Sequence, residues 1–171
     1  GHPSGHPSGH PSVSSSVDSA DSTVMTLIKK ASLQVNTELQ QVPQVQEWFK
    51  QFNILPKLVM MQCELVLVEL FTNVIQHAHV GLPATTPVDI EATLTTEMIE
   101  IKIWDYGRSF DLQQAIATKK AAEAKATPIE SLDTGGRGLL ISDKLADQLQ
   151  YNRDTDGRNC LLFRKQVQLA I

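Results

Sequence analysis

The stretch from Lys57 to Ala78 constrains this chain more than any other. Pro56 opens it, as proline does at a helix start. Its apolar residues fall on nearly every side of a helical wheel, so the helix belongs in the middle of a fold rather than on its surface. The most apolar part, Leu58 to Ile75, is interrupted by Gln62, Glu64, Glu69 and Asn73. No uninterrupted run therefore reaches the roughly 18–20 residues of a membrane span. A chain of 171 residues built around one such helix is expected to hold one domain.

On that helix Glu69, Asn73 and His77 stand four residues apart, so they share one face with slow angular drift. A carboxylate buried without a partner is costly. The stripe therefore either faces water or lines a cleft that takes a ligand. In the second case Glu69 is a base and Asn73 an amide oxygen for a hard cation such as Mg²⁺.

The rest of the chain reads as strands and helices around this centre. Ala31, Leu33 and Val35 alternate with polar residues, which predicts a half-buried strand. A helix follows between Thr37 and Phe52, with Thr37 as candidate N-cap. Pro43 suits a start nearer Val42. Val88–Leu94 and Ile99–Ile103 alternate across the short link Thr95–Met98 and predict an antiparallel hairpin. Leu112–Ala126 is rich in helix formers, and Leu139–Leu149 has helical spacing. Asp156-Gly157 is a hairpin turn between Leu149–Asn152 and Cys160–Val167. This order predicts an α+β fold, a two-layer α/β sandwich whose mostly antiparallel, mixed sheet carries helices on one face.

Residues 1–22 are set apart as a tail and 23–171 as the domain. The tail opens with GHPS three times and lacks Leu, Ile and aromatic residues, too little to offset chain entropy. Its histidines recur every four residues, but the intervening prolines forbid the helix that would stack them. It has neither the basic nor the apolar segment of a secretory signal. Cys63 and Cys160 lie far apart in apolar stretches, which fits a reducing compartment better than a disulfide scaffold. Fifteen Lys and Arg against nineteen Asp and Glu give a net charge of −4, a poor start for a nucleic-acid binder.

Two further segments carry chemistry. Asp105 ends a strand just before Tyr106-Gly107, where a carboxylate can accept from a ligand amine. Gly135-Gly136-Arg137-Gly138 runs into a helix, the arrangement that wraps a phosphate against free backbone N–H groups. Lys119, Lys120, Lys125 and Arg137 could add positive charge there. Neither a G-x-x-x-x-G-K-[ST] loop, nor HRD and DFG motifs, nor a Rossmann glycine fingerprint is present.

ELFTNVIQH (69–77), DYGRSFD (105–111) and TGGRGLLISDKLADQLQY (134–151) stand in the order and spacing of the three nucleotide-binding boxes of the GHKL ATPase/kinase superfamily. The chain resembles in particular the bacterial anti-sigma factor serine-protein kinases. That resemblance implies the Bergerat ATPase fold, with ATP and Mg²⁺ as cofactors. It implies Glu69 as general base, Asn73 as the Mg²⁺ ligand and Asp105 as acceptor of the adenine amino group. Gly107 would allow close approach, and Gly135, Gly136, Arg137, Gly138 and Leu139 would surround the phosphates. Asp111 to Thr134 would form a lid. His77 would close the first box, as ligand contact or as packing. Asn159 stands near the base where relatives often carry threonine. The implied protein is a cytoplasmic serine kinase that phosphorylates a STAS-type anti-sigma factor antagonist and holds a sigma factor. It would form a homodimer through its first strand and helix, without direct contact to nucleic acid or membrane. The alternatives are an ATP-binding anti-sigma module without transfer activity and the catalytic domain of a histidine kinase.

Overall fold

Two-residue periodicity sorts the sheet into a face that meets helices and a face that does not. In the computed structural model, which describes residues 1–2, 4–5, 25–125 and 137–169, five strands pair in the order β1-β2-β3-β5-β4. They are β1 (Leu27–Asn36), β2 (Pro87–Thr95), β3 (Met98–Asp105), β4 (Gln148–Arg153) and β5 (Asn159–Gln166). Every pairing among the described residues is antiparallel, so the expected α+β sandwich holds, with its sheet antiparallel throughout these residues rather than only mostly so.

Val88, Ile90, Ala92 and Leu94 of β2 and Ile99, Ile101 and Ile103 of β3 point to the helices and are buried. The same parity carries one place further to Asp105, which is why a carboxylate ends on the inward face. Asn159, Leu161 and Phe163 of β5 share that face. The other face is polar, with Arg158 bridging Asp89 and lying over the Trp104 ring, and Arg164 paired with Glu100.

The helical layer comprises α1 (Val42–Phe49), α2 (Lys57–Asn73), α3 (Leu112–Lys125) and α4 (Arg137–Leu145). α1 starts at Val42 with Pro43 in its first turn, preceded by a 3₁₀ turn over Leu39–Gln41. Thr37 does not cap it. Its backbone N–H donates to Ala84 O and Thr86 O, and its hydroxyl is buried with no partner among the described residues. α4 stops at Leu145, earlier than its apolar spacing suggested, because Leu149 already belongs to β4.

α2 buries Cys63, Val66, Leu67, Leu70 and Phe71 in the core with Phe49, Phe52 and Phe163. It is less enclosed than its composition predicts, since Leu58, Met61 and Leu65 remain exposed on its outer side. The helical run Lys57–Ala78 is by length and composition long enough to cross a membrane. Here its inner face is packed against the sheet and against α1 and α4, as a core helix is. Both cysteines are free, and burial pushes the thiols up, Cys63 to about 12 and Cys160 to about 11, so neither is a reactive thiolate at neutral pH.

Candidate functional site

α2 sets Glu69 and Asn73 one turn apart, and the helix then widens. Instead of running as α-helix to Ala78, residues Val74–Ala78 form a single π turn, closed by the His79 N–H donating to Val74 O at 2.8 Å. Such turns concentrate at functional sites. Glu69, Asn73 and His77 still line one hollow of about 230 Å³, whose opposite wall is Gly138 and Leu139 in the first turn of α4. A second hollow of about 240 Å³ shares Asn73, His77 and Leu139 and adds Arg108 and Lys119. The two are parts of one groove between α2 and α4 with cations at one end. A larger hollow, of about 1090 Å³, lies elsewhere, between Met25 and Leu169; of the motif residues only Asp147 and Gln148, at the end of the third segment, reach it, and none of the candidate site residues does.

Each of the two glycines that fall on described motif segments has a steric reason on the protein side. A Cβ on Gly107 would lie 2.2 Å from Ala78 O, and one on Gly138 would lie 2.7 Å from Glu69 Oε2. The first glycine lets the β3–α3 turn press on the end of the π turn; the second lets α4 press on α2 beside the carboxylate. The close approach expected for ligand is thus also an approach of backbone to helix. Glu69 itself makes no hydrogen bond or ion pair among the described residues.

At the end of β3, Asp105 is 2 % exposed, and its Oδ1 accepts from the Gly107 N–H at 2.8 Å and from Asn159 Nδ2 at 3.0 Å. Its Oδ2 takes neither bond. Tyr151 packs its ring on Phe110 with centroids 4.4 Å apart. Burial, and then the charge of Asp105, raise the Tyr151 phenol above its ordinary value, so it stays protonated.

His79, which the sequence reading left aside, fastens the π turn to this strand end. Its Nε2 accepts the Tyr106 N–H at 2.9 Å, so the ring is neutral with its proton on Nδ1, a buried atom without a partner among the described residues. Burial lowers its pKa, and the nearby Asp105 raises it by less. The sign follows directly. The unfolded chain takes up a proton near pH 6.5 and the folded chain only at lower pH, so stability falls as pH drops below about 6.5. Urea midpoints at pH 7.5 and 5.5 should show that fall, and His79→Gln should lessen it. An equal fall in both proteins would sink the assignment.

Of the residues singled out from sequence, Glu69, Asn73, His77, Gly138 and Leu139 line one groove. Asp105, Gly107 and Asn159 form one hydrogen-bonded cluster, which reaches the groove where Gly107 abuts Ala78. Arg137 does not join them. It lies on another side of α4, near Lys120, which pairs with Asp143 at 3.3 Å. Gly135, Gly136 and most of the tail lie outside the described residues, as do residues 126–134 of the expected lid. Sequence reasoning missed Arg108, although it sits inside the second motif beside Gly107. Lys119, offered from sequence as added positive charge, does line the groove, on one helical face with Leu112 and Ala115.

Among the described residues no three His, Cys, Asp or Glu side chains converge on a point. A divalent ion here would be shared between Asn73 and ligand phosphates, the way Mg²⁺ is commonly held. The groove fits such a load, with an amide oxygen, two cations and the N-terminal turn of a helix facing it.

Residues 35–165 match the family model described as histidine kinase-like ATPase domain. The chain is also similar to a serine-protein kinase, RsbW, of Oceanobacillus iheyensis, with 32 % identity over 84 residues. That alignment takes in 49 % of this chain and 52 % of the relative, so the chain spans about half the length of the curated relative it matches.

Proposed function

Since the chain belongs to the histidine kinase-like ATPase domain family, we propose that its groove binds Mg·ATP and passes the γ-phosphoryl group to a serine of a partner protein. The observation that carries this reading is the pairing of Glu69 with Asn73 on one helical face, opposite the first turn of α4 and beside Arg108 and Lys119. Phosphoryl transfer asks for positioning and charge neutralisation, and these are the groups for both. Glu69 takes the serine proton as the oxygen–phosphorus bond forms and the bond to the β-phosphate oxygen breaks, leaving ADP. Asn73 would hold Mg²⁺, which neutralises charge on the phosphates. Arg108 and Lys119 face the same anionic load, and Asp105 offers an acceptor to the adenine amine.

A module that only bound nucleotide would not need a carboxylate at Glu69. That residue's lack of hydrogen bonds and ion pairs among the described residues suits a base waiting for a substrate. The serine rather than histidine substrate follows the relative named as a serine-protein kinase. By the same resemblance the partner is a STAS-type anti-sigma factor antagonist, with a sigma factor held in turn, and the protein works in the cytoplasm as a homodimer. Calorimetric titration with Mg·ATP should give saturable binding. No heat with ATP or ADP in folded protein would overturn the proposal.

A further inference from the structure

The strand register places Asn159 directly across from Asp105, and Asn159 is fully buried. Its Nδ2 donates to Asp105 Oδ1 at 3.0 Å and to Gly107 O at 2.8 Å, and its Oδ1 accepts from Ser109 Oγ at 2.6 Å. Both acceptors around Nδ2 are oxygens without a proton to give, and the hydroxyl facing Oδ1 can donate. The amide therefore has one orientation that satisfies all three contacts. A side-chain amide has two N–H donors, and the protein itself takes both. Asn159 has no donor left for a ligand.

Resting on the ATP reading of the groove, we propose that Asn159 is a positioning residue that sets nucleotide selectivity. It clamps Oδ1 of Asp105 to the protein, so that Oδ2 alone faces the base edge, as an acceptor. The 6-amino group of adenine donates to such an oxygen, whereas the 6-oxo group of guanine also accepts, leaving two acceptors facing each other. Sites built around a required hydrogen bond reject mismatched partners strongly. The clamp has a second arm: the Gly107 N–H holds the same Oδ1 at 2.8 Å, and Ser109 ties Asn159 to the segment that leads into α3. Without Asn159 the carboxylate is free to turn, and its outward oxygen no longer has a fixed direction.

The test compares ATP and GTP affinities of the full chain by calorimetry, with melting curves alongside. Wild type should prefer ATP. Asn159→Leu, which keeps bulk and removes both donors, should reduce that preference at least tenfold. Asn159→Thr, with one donor, should fall between. Ser109→Ala, which frees only the far end of the amide, should cost a few-fold and carries the test if Asn159→Leu does not fold. An ATP-to-GTP ratio unchanged in the folded variants, even with lower melting temperatures, overturns the proposal and makes Asn159 structural only. Wild type binding neither nucleotide overturns the ATP reading instead, so the two failures are distinguishable.

Discussion

Glu69→Gln should leave Mg·ATP binding within a few-fold of wild type and slow phosphoryl transfer to a serine-bearing partner by a hundred- to ten-thousandfold, the usual contribution of a general base. That range corresponds to about 3–5 kcal/mol of barrier. Glutamine is the better replacement because Glu69 packs against Gly138: a Cβ at Gly138 would lie 2.7 Å from Oε2, so α4 rests on this side chain. An amide keeps that volume, whereas alanine would open a gap between α2 and α4 and confuse lost chemistry with lost packing. Binding persists because Asp105, Arg108, Lys119 and Asn73 are untouched. Single-turnover transfer of labelled γ-phosphate, with calorimetry on the same sample, separates the two effects. Transfer at the parental rate would remove Glu69 from the mechanism.

How much of this was legible in the sequence depends on the range of the interaction involved. The β2–β3 hairpin is written in the alternation of Val88 to Leu94 and Ile99 to Ile103, and the alternation carries Asp105 to the inner face without further information. The shared face of Glu69, Asn73 and His77 is equally local, but that it lines a groove rather than meeting open water is decided by the packing of α4 opposite it. The π turn is not legible, because a bond from His79 to Val74 calls for no special residue. Nor is the role of Asn159, whose partner Asp105 lies 54 residues away and is reached only through strand register. The glycines were recognised as places of close approach, but what approaches them, Ala78 and Glu69, is decided by how α2 sits on the sheet and on α4. Arg137 and Arg108 show the same limit. Both flank motif glycines, and only the packed phase of α4 and of the β3–α3 turn decides which one meets the groove.

Asp105→Ala should weaken ATP by roughly ten- to a hundredfold, since a hydrogen bond to a charged group contributes about 1.5–3 kcal/mol. Alanine does a second thing at this site. It leaves the Gly107 N–H and one N–H of Asn159 buried without their acceptor, and each stranded donor costs about 1–3 kcal/mol of stability. Lost affinity in this variant could then reflect a loosened strand end rather than a missing contact to the base. Asp105→Asn resolves the two. Its carbonyl oxygen can still receive both donors while its NH₂ group turns outward, so the clamp survives and only the outward-facing chemistry is reversed, from acceptor to donor. The asparagine variant should melt nearer wild type than the alanine variant, lose ATP affinity to a similar degree, and bind GTP better than wild type does, because the 6-oxo group can accept from the new donor. Titrations with both nucleotides and melting curves on the three proteins check each part. Asp105→Asn binding ATP as tightly as wild type would mean that the carboxylate does not read the base and serves only to tie β3 to β5.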